Sequence, residues 1–201
     1  MPRPLPAFFA SARVSALPTL VPPSWAHWDH SEPRLWPPRG SPHHDDLNLD
    51  PDPPWLREAA LRVRARLRQW QAPSIVGHAD WWSENLRWVG RQLHVVYDCA
   101  SVTAQPEAIL VGYAAYMFAK TTVELDGCAP GASVPATEHF LAAYERARGR
   151  FWTADELQVA WAAGLWVAAF DCRVSRIEDR GEGFADQVQA ETPERLRRAG
   201  V

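Results

Sequence analysis

Thirteen of the chain's 18 prolines fall within residues 1–54, and this skew limits the fold more than any other feature. Proline fixes φ and removes a backbone donor, so a stretch this rich in it builds neither long helices nor central strands. Residues 1–51 therefore read as an irregular leader or linker, with the first 20 residues expected to be disordered. Trp25, Trp28 and Trp36 give the leader apolar anchors with which to lie over a core. That core falls to residues 52–201, enough chain for one domain that buries most of its unfolded surface.

Hydrophobic residues at 47% and charged residues at 22% match an ordinary globular composition and exclude collagen, coiled-coil and disordered chains. A net charge of -3 provides no electrostatic footprint for nucleic acid or an acidic membrane. Cys99, Cys128 and Cys172 are odd in number and far apart. Neither a disulfide framework nor a CxxC pair is available, which points to a reducing cytoplasm. Arg3, Arg13 and four prolines interrupt Ala7-Phe8-Phe9-Ala10, so no secretory signal is expected. The apolar runs 108–119 and 159–170 fall short of the roughly 20 residues of a membrane-spanning helix and read as buried core helices.

Asp52-Pro53-Pro54 carries a helix-start signal, with Asp52 as the N-cap candidate and proline in the first turn. Leu56, Ala59, Ala60, Val63, Leu67 and Trp70 recur at helical spacing with five arginines between them. The spacing predicts an amphipathic helix over about 54–71 whose arginine face is solvated. Ile75-Val76-Gly77 reads as a short extended segment. Leu86–Val89 and Leu93–Tyr97 form a hairpin about Gly90-Arg91-Gln92. Pairing Val89 with Gln92 or Leu93 sets Asn85 opposite Val96 or Tyr97, so that Asp98 emerges beside Asn85. Helices follow over 107–119, over 137–147, from the capping-box pattern Thr153-Ala-Asp-Glu156 to about Arg176, and over 193–198. The tract His43-His44-Asp45-Asp46 has metal-ligand chemistry, but adjacent side chains point apart and the tract reads as a solvated loop.

The residues with chemistry lie at His78-Ala79-Asp80-Trp81-Trp82-Ser83-Glu84-Asn85, followed by the hairpin and Asp98. Moving a phosphoryl group to a hydroxyl needs an acceptor for the proton and charge to neutralise the phosphates. Asp80 suits the first task. Asn85 and Asp98 offer the oxygen ligands that Mg²⁺ prefers, and the hairpin brings both to one end. Trp81 and Trp82 are candidates to line a substrate pocket.

His-x-Asp-x-x-x-x-Asn, a hairpin and an aspartate ending an apolar strand resemble the aminoglycoside phosphotransferase family, small-molecule kinases of protein-kinase-like fold. Trp88, the pair Pro106-Glu107 and the segment Phe140–Gly149 share in the resemblance, which covers about residues 52–176, the C-terminal lobe. It implies a mainly α (α+β) fold, a helical bundle whose small hairpin carries the site. It further implies Asp80 as catalytic base, His78 as the brace of its loop, and Asn85 and Asp98 as magnesium ligands. ATP would be the co-substrate and a hydroxylated small molecule the acceptor.

The chain departs from that family at several points. Ala79 stands where the family has glycine, and Asp98-Cys99-Ala100 lacks the family's second carboxylate. The acidic residue usual in the next helix is also missing. Before residue 77 the only glycine is Gly40, and the only lysine anywhere is Lys120. Neither a glycine-rich loop nor an ATP-anchoring lysine precedes the site, so the N-terminal nucleotide lobe is expected to come from a longer chain or a partner. Two readings stay open, a phosphotransferase completed in that way and a catalytically inactive remnant or binding module that keeps the C-lobe fold.

Overall fold

The computed structural model describes residues 22–37, 47–48, 51–120, 131–178 and 183–201. Of these, 59% are helical and 12% lie in strands, so the fold is mainly α with small antiparallel ribbons. Five α-helices lie among the described residues: α1 (Pro54–Gln69), α2 (Glu107–Met117), α3 (Val134–Arg148), α4 (Ala154–Ile177) and α5 (Gly183–Ala199). Four strands, β1 (Ser74–His78), β2 (Leu86–Val89), β3 (Gln92–Val96) and β4 (Val102–Pro106), make two separate pairs, β1 with β4 and β2 with β3. No helix among the described residues is long and apolar enough to cross a membrane. The His43–Asp46 tract, Cys128 and the first 20 residues lie outside the described residues.

α4 is the central element and packs against α1, α2 and α5. All twelve residues from Val159 to Phe170 are buried, as are Ala108 to Met117 of α2, which is why neither helix shows a polar face in its sequence. Their crossing is close enough to require glycine. A Cβ added at Gly112 would lie 2.2 Å from the Ala160 carbonyl oxygen. Thr153 and Glu156 form the expected capping box at the start of α4, satisfying backbone donors that the first turn leaves unpaired.

The leader is part of the core. Trp36 is buried against Trp166 and Phe170 at ring separations of 5.3 and 6.1 Å, and Trp166 Nε1 donates to the Trp25 carbonyl at 2.7 Å. Two expectations about α1 are corrected here. Asp52 does not cap the helix; Pro53 holds that position with no side-chain cap. The Asp52 carboxylate turns inward instead, accepting Trp36 Nε1 at 2.9 Å and facing the buried Arg173 Nε at 3.5 Å. Nor is the arginine face wholly solvated. Arg64 is buried and donates to the carbonyls of Trp28, His30 and Arg34 at 2.7–3.0 Å, and Arg68 donates to that of His30 at 2.6 Å. A leader poor in regular structure has carbonyls to satisfy, and these guanidiniums satisfy them.

Two further differences concern element limits. β4 fills a stretch with no apolar alternation because its inward side chains, Thr103 and Gln105, are polar and buried. Gln105 is satisfied by the Ala26 carbonyl and the Tyr113 hydroxyl. α5 is much longer than residues 193–198 and runs through Pro193. The proline lies on the exposed side, while Val188, Thr192, Leu196 and Ala199 form a buried stripe whose packing outweighs the lost backbone bond.

Candidate functional site

The β1–β4 ribbon delivers the loop that carries the chemistry. Ile75 and Val76 favour extended backbone, and β1 ends at His78. The loop is fastened where the ribbon ends, by the Ala79 amide donating to the Ser101 carbonyl at 2.9 Å. His78 Nε2 lies 2.9 Å from the carbonyl oxygens of both Tyr97 and Asp98. Both are acceptors, so Nε2 carries the proton. His78 thereby ties the base loop to the backbone of the second candidate metal ligand.

Asp80, Asn85 and Asp98 meet at the base of the hairpin. The β2–β3 register pairs Val89 with Gln92 at the turn, slips by one at Arg87/Trp88, and pairs Leu86 with Val96, so that of the two expected partners Tyr97 is the one opposite Asn85. The Tyr97 amide donates to the Asn85 carbonyl at 2.8 Å, which makes Asn85 and Asp98 neighbours across the hairpin end. Asn85 Nδ2 donates to Asp80 twice, to Oδ2 at 2.8 Å and to the main-chain oxygen at 3.1 Å. Asp98 has φ 57° and ψ 59° and is the one non-glycine residue with positive φ among the described residues. Aspartate tolerates this region better than most side chains, and such backbone concentrates at functional sites. Its carboxylate accepts the Ser101 hydroxyl.

Burial raises the Asp80 carboxyl above its ordinary value and the Asp98 charge adds to the rise, while the Asn85 hydrogen bond and the charges of Lys120 and His78 oppose it. Asp80 Oδ1 is buried with no hydrogen-bond partner. The pair is thus a partly desolvated carboxylate with one oxygen oriented and the other uncommitted, which is what a proton acceptor needs.

The two tryptophans separate. Trp81 packs edge-on to His78 at 6.1 Å and lines a cavity of about 450 Å³ between the hairpin, α2 and α3. Trp82 is not part of that lining. Its Nε1 donates to the Lys120 carbonyl at 2.6 Å, and Lys120 Nζ sits 5.9 Å from its ring centroid and 2.7 Å from Asp171. Lys120 and Ser101 are site neighbours that sequence reasoning missed. The three-residue step from Asp98 to Ser101 is a turn spacing that would have found the second, whereas nothing local links Lys120 to Asp80.

Among the described residues no group of three or more His, Cys, Asp or Glu side chains is placed to hold a metal ion. The donors at the hairpin end are all oxygen: the Asn85 side-chain carbonyl, left over once its nitrogen faces Asp80, and the Asp98 carboxylate. Two hard oxygen donors fit Mg²⁺, which keeps waters and substrate phosphates as its remaining ligands. They do not fit a transition metal that demands an all-protein cage. No protein-family model, curated protein or solved structure matches the chain.

Proposed function

We propose that the chain is the C-terminal lobe of a small-molecule kinase of the aminoglycoside phosphotransferase type, transferring the γ-phosphoryl group of ATP to a hydroxyl. The observation that carries this reading is the hydrogen bond from Asn85 to the half-buried Asp80 in a loop that His78 pins to the Asp98 backbone. Asp80 takes the hydroxyl proton, and Asn85 holds its carboxylate in place. Asn85 and Asp98 would hold Mg²⁺, which supplies charge neutralisation to the phosphates. The free thiols of exposed Cys99 and buried Cys172 suit a reducing, cytoplasmic setting.

The nucleotide anchor comes from further chain or a partner, since Lys120 is the only lysine and is paired with Asp171. That same ion pair favours the second reading, a binding module with the C-lobe fold and no turnover of its own. Thermal denaturation with and without millimolar Mg-ATP tests the first, because a ligand at 100 times its Kd adds about 2.7 kcal/mol to a fold that binds it. The expected result is a rise in Tm that Asp98→Ala removes. No rise at millimolar Mg-ATP would rule out phosphoryl transfer by this chain on its own.

A further inference from the structure

Trp81 gives the base loop a second neighbour, the 450 Å³ cavity, whose size falls in the roughly 300–1,000 Å³ range of small-molecule sites. Its walls are apolar or aromatic almost throughout. Trp81, Trp88 and Leu93 close one side, Phe118 and Phe140 meet at 5.5 Å on another, and alanines of α2 and α3 form the rest. Among the described residues the lining contains no carboxylate. Its polar members are His139, which is exposed, and Tyr144, whose hydroxyl is already donated to Glu107 at 2.8 Å.

This chemistry selects against a polycationic amino sugar, because ammonium groups seated among the apolar walls would lose their hydration and find no carboxylate in the described lining. It selects for an apolar body, whose burial against these walls removes apolar surface from water. Trp88 and Phe118, both more than a third exposed, leave the apolar wall open to solvent, so a ligand can enter. The volume is that of a ligand with an aromatic or alicyclic ring system, too small for a protein segment of any length.

We infer that the acceptor is a neutral, largely apolar alcohol seated in this cavity, with its hydroxyl at the Trp81 end beside Asp80. The inference rests on the phosphotransferase reading for the use to which the site is put, though not for the binding itself. In the reaction the acceptor oxygen forms a bond to the γ-phosphorus of ATP, the bond from that phosphorus to the β–γ bridging oxygen breaks, and ADP leaves. The acceptor's proton goes to Asp80, and the product is a phosphate monoester.

The experiment is a calorimetric titration of the full chain, without nucleotide, using 2-naphthalenemethanol as the probe and a tri-amino sugar as its competitor in class. The alcohol is expected to bind saturably and at least tenfold more tightly than the amino sugar. Ala143→Trp, which fills the cavity from α3, is expected to weaken it at least tenfold, and Phe140→Ala, which removes a wall, gives an independent check should the first variant fold poorly. Absence of saturable alcohol binding, amino-sugar binding of equal strength, or alcohol binding indifferent to both variants would overturn the inference. Because no ATP is present, failure of phosphoryl transfer leaves this result untouched; conversely, transfer to an amino sugar without alcohol binding would sink the inference and keep the kinase reading.

Discussion

Replacing Asp80 by asparagine removes a charge that the fold holds at a cost, and the cost has a pH signature. Burial raises the Asp80 carboxyl above its ordinary 3.8, so between that value and its folded value the native chain binds more protons than the unfolded one. Stability from this group is complete below pH 3.8 and is lost as pH rises through the folded value. Asp80→Asn does not titrate and lacks the term. An unsatisfied buried polar group costs about 1–3 kcal/mol, and Asp80 has one such oxygen, Oδ1, while Oδ2 is satisfied by Asn85. The low end of that range is therefore expected, about 1 kcal/mol. The wild-type chain should gain about 1 kcal/mol on the variant when urea unfolding is compared at pH 7.5 and pH 4, equal to about 2–4 °C in Tm for a chain of this length. Groups remote from Asp80 contribute equally in both proteins and cancel. A stability difference identical at the two pH values would refute the desolvated-base argument.

Gly112→Ala should lower stability by about 2 kcal/mol in urea, since the overlap with the Ala160 carbonyl exceeds the roughly 1 kcal/mol that alanine returns in helix propensity. Gly164→Ala, whose Cβ would lie 3.1 Å from the Gly112 oxygen, should cost less than about 1 kcal/mol; equal effects would contradict the close crossing. Arg64→Met should cost about 2 kcal/mol by removing its hydrogen bonds to leader carbonyls, of which that of His30 keeps Arg68 as a donor, and should speed proteolytic cleavage within residues 28–35, so unchanged cleavage would dismiss the anchoring role. Thr153→Ala should cost about 1 kcal/mol through the lost cap, read from the shift of the urea midpoint.

What the sequence made legible was whatever local periodicity or spacing records. α2 and the stretch 159–170 of α4 are apolar on all sides because they are buried on all sides, the capping box marks the start of α4, and the hairpin register follows from one turn and two short apolar runs. What escaped depends on partners distant in the chain. Asp52 looks like an N-cap until Trp36 and Arg173 fold over it, and Gln105 looks like loop because its burial is offset by hydrogen bonds to Ala26 and Tyr113 rather than by apolar contact. Arg64 looks solvated until the leader arrives 30 residues away in sequence. At the site the same division holds: Asp80, Asn85 and Asp98 are linked by a short ribbon and were read together, whereas Lys120 reaches them only through the packing of Trp82.

The central claim is that Asn85 and Asp98 hold a divalent cation together with nucleotide phosphates beside Asp80. Electron paramagnetic resonance of Mn²⁺ with ATP tests it most directly, Mn²⁺ standing in for Mg²⁺ at oxygen ligands. The account predicts that adding the chain at millimolar concentration broadens the Mn-ATP spectrum and that Asp98→Ala abolishes the change while Asp80→Asn leaves it intact. A spectrum indifferent to the chain, or a broadening that survives Asp98→Ala, would contradict it.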